Sequence, residues 1–304
     1  MSEVLVTGAN GFLGRHVARA AAAQGHRVTG MGHGVWAGGD WRSWGLSAWH
    51  DLDITLSALL VHGGTPDLIV HCAGGGSVGF SIENPGQDFE RTAGTTSHVL
   101  EYLRTRSPST ALVYPSSTAV YGRAAVLPIT EESPLSPISP YGTHKLIAEL
   151  LCRSYGRSFG LRVSVVRIFS AYGAHLRKQL LWDASRKVLA GDFNFGGSGQ
   201  EVRDWVHVED VAALMLMAAE HATPEVPTVN GASGVGVTTR EVLTMLFEAL
   251  GAPQSPEFSG TSRAGDPDSY VGNPDLAGSW GWAPKHGLRE GVRDYARWFT
   301  SGEA

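Results

Sequence analysis

The chain reads as an α/β protein, a doubly wound parallel sheet with helices on both faces and a smaller C-terminal α/β lobe. Three features predict this. Short β-branched runs alternate with helical stretches as far as about residue 170, the pattern of a parallel sheet covered on both sides. A glycine-rich turn joins the first strand to the first helix. From about Ala171 onward Gly and Pro become frequent and the elements shorten.

Val4 to Thr7 is a short buried strand, followed by the glycine turn and an Ala-rich helix from about Phe12 to Gln24. His26 to Gly30 is a second, weaker strand. Gly32 to His50, rich in Gly and Trp, reads as a loop with one surface turn of helix. Leu68 to Ala73, Ala111 to Pro115 and Val163 to Ile168 are further apolar runs bounded by turn residues. Helical patterns fill the gaps, notably Thr95 to Thr105 and Tyr141 to Phe159. At 304 residues the chain exceeds one typical core. Residues 1–170 are therefore assigned to the sheet domain, completed by a later segment near 204–230. Residues 171–304 are assigned mainly to a substrate-binding lobe.

Composition excludes several classes. A net charge of −5 provides no basic field for nucleic acid. The longest apolar stretch, Val211 to Ala219, is too short to cross a bilayer, and the N-terminus leads straight into a strand with no signal-type segment. The two cysteines, Cys72 and Cys152, form neither a disulfide framework nor a metal-ligand spacing. They read as packing residues in a reducing cytoplasm, and no metal is assigned.

Thr7-Gly8-Ala9-Asn10-Gly11-Phe12-Leu13-Gly14 lies between the first strand and the first helix. Gly8, Gly11 and Gly14 permit a tight turn and close approach to a pyrophosphate, and Gly14 also permits close helix–strand packing. The helix N-terminus presents N–H groups and a positive dipole end to phosphates. A lone glycine pattern is often an ordinary turn; its position between strand and helix makes this one a dinucleotide site of Rossmann type. An acid normally ends the second strand and meets the adenosine ribose. Gly32 stands there, with His33 next. Glycine removes the repulsion a 2′-phosphate would meet, and His33 or Arg42 could partly neutralise it. NAD and NADP both remain open.

Tyr141 and Lys145 are one helical turn apart on one face. A phenol titrates near ~10, and a nearby ammonium brings it toward working pH. Upstream, Ser116-Ser117-Thr118 precede Val120-Tyr121-Gly122. A serine hydroxyl beside the phenol can hydrogen-bond a substrate oxygen while tyrosine moves the proton. A Tyr-x-x-x-Lys pair alone is usually just an exposed helical pair. Only four lysines occur in the chain, so one at this spot is less easily accidental.

The glycine turn, Ser-Ser-Thr-Ala-Val-Tyr-Gly and Ser-Pro-Tyr-Gly-Thr-His-Lys together resemble the extended short-chain dehydrogenases, the NAD-dependent epimerase/dehydratase family, from residue 4 to about 299. The resemblance implies that Ser117, Tyr141 and Lys145 are the catalytic set. It implies cofactor contacts from Gly8, Asn10, Gly11, Phe12, Leu13, Gly14, Gly32, His33, Asp51, Leu52, Ala73, Gly74, Ile168 and Ser170, with Tyr141 and Lys145 beside the nicotinamide ribose. Ser170 and Arg91 both stand where the family usually has asparagine. The Arg91 departure puts the local hydrogen bonding of the central helix in question.

The resemblance further implies a nucleotide-diphosphate sugar as substrate. Arg203 in Arg-Asp-Trp-Val-His-Val and Arg263 in Arg-Ala-Gly-Asp-Pro match the family's phosphate-binding arginines, whose guanidinium forks suit phosphate oxygens. The alternatives are structural: Arg203 paired with Asp204, or Arg263 capping its own loop. Phe195 would lie near the base and Lys178-Gln179-Leu180 near base or ribose, with Ser77 and Thr118 completing the contacts. His207 reads as packing.

Dehydratases that the chain resembles carry a carboxylate pair after the catalytic serine, where Thr118-Ala119 stand here. Double epimerases carry cysteine and histidine at the positions of Ala119 and Gln179. Hydride chemistry at carbon 4 survives. Family frequency favours a 4-epimerase slightly, Gly32 favours an NADPH-dependent 4-ketoreductase, and a non-catalytic sensor is the alternative of another class. The resemblance also implies a homodimer through the Tyr/Lys helix and its neighbour; two-fold dimers are the commonest oligomer.

Overall fold

In the computed structural model, residues 1–36, 40–260 and 269–302 are described. The chain divides into two compact units. The first comprises Met1–Arg123, Glu131–Ile168 and Ala212–Asn230; the second comprises Ala124–Thr130, Phe169–Val211 and Gly231–Ala304.

Runs of Val, Leu and Ile, buried on both faces, build the sheet of the first unit. Its strands are β1 (Glu3–Thr7), β2 (Arg27–Gly32), β3 (Leu46–Asp51), β4 (Leu68–His71), β5 (Ala111–Ser117) and β6 (Val163–Ile168), joined by a last strand, Thr228–Gly231. The spatial order is Thr228–Gly231, β6, β5, β4, β1, β2, β3, and the ladders from β6 to β3 are parallel. The expected doubly wound parallel sheet is present. Helices α1 (Phe12–Ala23), α2 (Leu56–His62), α3 (Val78–Glu83), α4 (Pro85–Phe89), α5 (Thr95–Arg106) and α6 (Pro140–Phe159) connect the strands. Leu5, Ile69, Leu112 and Val163 on the sheet meet Val99, Leu103, Ala148 and Cys152 on α5 and α6 in one core cluster.

Two departures from the sequence reading stand out. Gly32 to His50 holds more than a loop with one helical turn: the turn is Trp41–Trp44, but Gly32 ends β2 and Leu46–Asp51 is the edge strand β3, paired with β2. Only Leu46 of β3 is buried, so an edge strand carrying Trp49, His50 and Asp51 lacks the apolar run that marks the central strands. Between α4 and α5 the backbone makes a π-helical turn, Glu90–Gly94, around Arg91. The Arg91 guanidinium lies 4.9 Å over the Phe80 ring.

In the second unit the strand Val202–His207 pairs parallel with Ser170–Tyr172 and Ser269–Tyr270 and antiparallel with Gly236–Thr238. Helices Gln179–Leu189, Thr239–Leu250 and Leu288–Thr300 belong to this unit. Thr238 and Glu241 form a reciprocal capping box that starts the second of these. Helix Val208–Glu220 begins in the second unit and runs into the first. Among the described residues, no helix is long and apolar enough to cross a membrane.

Candidate active site

The chain runs outward from β1 to β2 and β3, then returns to the other side of β1 as β4. This reversal opens a crevice at the carboxyl ends of β1 and β4, the place where such sheets take ligands. The glycine turn lies there. Gly8 has φ +64, and a Cβ on it would stand 2.6 Å from the Ala73 nitrogen, at the end of β4. A Cβ on Gly14 would collide with the Gly8 carbonyl oxygen. Gly11, the N-cap of α1, contributes no side-chain cap, so the first N–H groups of the helix are left for a ligand. Arg15 braces the turn by donating to the Asn10 backbone oxygen at 2.6 Å and to its Oδ1 at 3.2 Å. Asn10 Nδ2 in turn donates to the Val35 oxygen at 3.1 Å. Phe12 and Leu13 form the first turn of α1. This cradle fits a pyrophosphate.

Gly32 closes one flank of the turn, where a Cβ would meet the Gly8 Cα at 3.4 Å. Beyond it, two acids come close. Asp51 Oδ1 accepts from the Gly34 N–H at 3.3 Å, and Asp53 lies 3.9 Å from His33. Leu52 is partly buried beside Asp51, and its N–H donates to the Gly32 oxygen at 2.6 Å.

Ser139 caps α6, its hydroxyl accepting from the Gly142 N–H, with Pro140 at the first position. One helical turn then brings Tyr141 and Lys145 to the same face. The Ser117 hydroxyl at the end of β5 lies close enough to the Tyr141 phenol to favour its ionised form. Lys145 Nζ donates to the Pro115 oxygen at 2.9 Å and lies 5.9 Å from the Tyr141 ring centroid. Ile168 pairs with Ser117 across β5 and β6, and a Cβ on Gly74 would stand 3.9 Å from Lys145 Nζ. Ser117, Tyr141, Lys145, Ala73, Gly74 and Ile168 are thus brought together. The expected lowering of the phenol pKa is absent. Burial pushes the Tyr141 pKa above its ordinary value and the buried Asp88 adds to this, against the nearby Ser117 hydroxyl. In this state Tyr141 is a phenol.

Three supports were not read from the sequence. Asp88, fully buried, accepts from His144 Nδ1 at 2.7 Å. The Thr92 hydroxyl accepts from the Gly75 N–H at 3.0 Å, fixing the turn after β4. Glu149, one turn beyond Lys145 and fully buried, takes Arg167 on both oxygens at 3.0 and 2.8 Å and the Ser116 hydroxyl at 2.6 Å. Burial works against the Arg167 charge, but Glu149 and Tyr121 outweigh it and raise its pKa. The i, i+4, i+8 spacing of Tyr141, Lys145 and Glu149 is the one signal that could have found Glu149.

The remaining expected contacts fall as follows. Ser77 is exposed and caps α3; Thr118 opens the short 3-10 turn after β5. In the second unit, Ser170 begins its strand, Lys178 and Gln179 are exposed, and Leu180 and Phe195 are half-buried. Gln179 has φ +66, a conformation unusual for a non-glycine residue. Arg203 donates to the Val202 oxygen and lies 5.6 Å over the Tyr270 ring. Asp204 accepts from Ser233, Gly234 and Gly272, so its carboxylate serves the surrounding loops. Arg263 lies outside the described residues.

The profile of the NAD dependent epimerase/dehydratase family matches residues 4–230. The chain belongs to that family. It is 30% identical to a UDP-glucose 4-epimerase of Corynebacterium glutamicum, over 98% of this chain and 96% of the relative. Among solved structures it is similar to a UDP-glucose 4-epimerase of Thermotoga maritima crystallised with UDP-glucose, at 25% identity and a TM-score of 0.87, covering 99% and 100% of the two chains. It is also similar to a UDP-glucose 4-epimerase of Stenotrophomonas maltophila with bound NAD and formylated UDP-arabinopyranose, at 26% identity and a TM-score of 0.85, covering 98% of each chain. The matched stretch includes the glycine turn, whose cradle fits a dinucleotide.

Proposed function

We propose that this protein is an NAD-dependent 4-epimerase of a UDP-sugar. One observation carries the reading: the Ser117 hydroxyl, the Tyr141 phenol and the Lys145 ammonium are gathered at the ends of β5 and α6, while Thr118 and Ala119 add no acid or base for chemistry at a second carbon. The likeness to several UDP-sugar 4-epimerases supports it. The chemistry supplied by a bound nicotinamide is acceptance of hydride from carbon 4 and its return. Tyr141 takes the 4-hydroxyl proton and gives it back to the other epimer. Ser117 donates to the same oxygen and keeps it in line, and Lys145, tied to Pro115, supplies the positive charge that favours the phenolate. Asn10, Phe12, Leu13 and the three glycines hold the pyrophosphate, and Asp51 with Leu52 meets the adenine. Ser77, Thr118, Lys178, Gln179, Leu180, Phe195, Arg203 and Arg263 are assigned to the nucleotide sugar.

Asp51 and Asp53 beside the Gly32–Gly34 turn favour NAD, because two carboxylates would repel a 2′-phosphate. Gly32 itself favours the second reading, an NADPH-dependent 4-ketoreductase. Denaturing the purified protein and identifying the released cofactor by mass spectrometry separates them. Co-purifying NAD, together with interconversion of UDP-glucose and UDP-galactose, is the expected result. Protein that emerges empty and binds NADPH much more tightly would replace epimerase by reductase.

A further inference from the structure

Among the described residues, a mixed His/Glu cluster lies within the second unit and shares no residue with the candidate active site. His207 ends the strand Val202–His207, Glu209 stands in the first turn of helix Val208–Glu220, and His286 lies just before helix Leu288–Thr300. One ligand atom from each lies within 4.8 Å of the other two. The two imidazoles stack with centroids 4.3 Å apart and planes 30° apart, and Glu209 Oε2 is 3.4 Å from His286 Nε2.

The surroundings orient these atoms. Asp210 is buried. Its Oδ1 is 3.0 Å from His286 Nδ1, its Oδ2 accepts the His286 backbone N–H at 3.0 Å, and its backbone oxygen accepts from Trp282 Nε1 at 3.0 Å. A proton on Nδ1 directed at Asp210 leaves the Nε2 lone pair facing the Glu209 carboxylate. Carboxylate–imidazole pairs of this kind orient metal-bound histidines. His207 is buried, and its Nδ1 accepts the Glu209 backbone N–H at 3.4 Å. Two imidazoles and a carboxylate thus stand within reach of a single cation.

We propose that His207, Glu209 and His286 form a binding site for one divalent transition-metal ion of the zinc type, with Asp210 orienting His286. Two imidazoles and one carboxylate with an open fourth position suit zinc rather than magnesium or calcium. Donors bound to zinc at about 2.0–2.1 Å sit roughly 3.3 Å apart in a tetrahedron. The Glu209–His286 pair is already near that spacing, and the His207 donor lies within 4.8 Å of both. The ion would cross-link the strand end, the helix start and the turn at residue 286.

The test is a zinc titration of tag-free, chelator-treated full-length protein against a chromophoric competitor, repeated on Glu209→Gln and His286→Ala after circular dichroism has checked their folding. The expected result is one zinc per chain, with affinity reduced roughly 10–100-fold or more in each variant and a tetrahedral absorption spectrum on cobalt substitution. No zinc uptake by the parent protein would overturn the proposal, leaving His286 an ion-pair partner of Glu209 and Asp210. Uptake undiminished in Glu209→Gln, an exposed and conservative change, would also overturn it by placing the ion elsewhere.

Discussion

Tyr141 sits where two opposing influences meet: burial and Asp88 hold its proton on, while the nearby Ser117 hydroxyl helps to release it. On the proposed chemistry the phenolate is the active form, so oxidation of the sugar falls off as pH drops below the phenol pKa. Lys145→Met removes the ammonium that favours phenolate. The rising limb of the kcat/KM profile should then move to higher pH, and an unmoved limb would remove Lys145 from this role. Tyr141→Phe should lower turnover by roughly 10²–10⁴-fold without changing cofactor content. Full activity in that variant would exclude Tyr141 as the proton carrier, and equal inactivity of parent and variant would favour the non-catalytic reading. Glu149→Ala has a different signature. It leaves the Arg167 guanidinium buried without its partner, a change that costs about 3–5 kcal/mol and is read as a lower denaturant midpoint.

At the scale of elements, α6 carries Tyr141, His144, Lys145 and Glu149, so its first turn sets the site. Ser139→Ala removes the hydroxyl that accepts the Gly142 N–H and should lower stability by about 1 kcal/mol, measured by chemical denaturation. Gly14→Ala should damage folding and cofactor retention together, because its Cβ would strike the Gly8 carbonyl. Strands β1, β4, β5 and β6 were legible because burial on both faces makes them continuous apolar runs. Strand β3 was not, because at the sheet edge only Leu46 is buried. Tyr141 and Lys145 were legible through helical spacing. Asp88 and His144 meet across 56 residues, and Arg167 and Glu149 across 18; pairings made by tertiary contact leave no periodic trace.

At the scale of the whole molecule, exposed Val78, Ile82, Phe89, Leu150 and Phe159 lie on α3, α4 and α6. Such apolar surface suits the proposed homodimer. Light scattering should return twice the 32.3 kDa of the chain, and Leu150→Glu should shift it toward the single chain. The first unit is built from three separate stretches of sequence, and the order of synthesis gives that a consequence. Strand Thr228–Gly231 is the neighbour of β6 in the finished sheet, yet it leaves the ribosome about sixty residues after β6. Until it arrives, a β-strand carrying Val163, Val165 and Val166 has one unsatisfied edge, the kind of surface on which chaperones act and nascent chains aggregate.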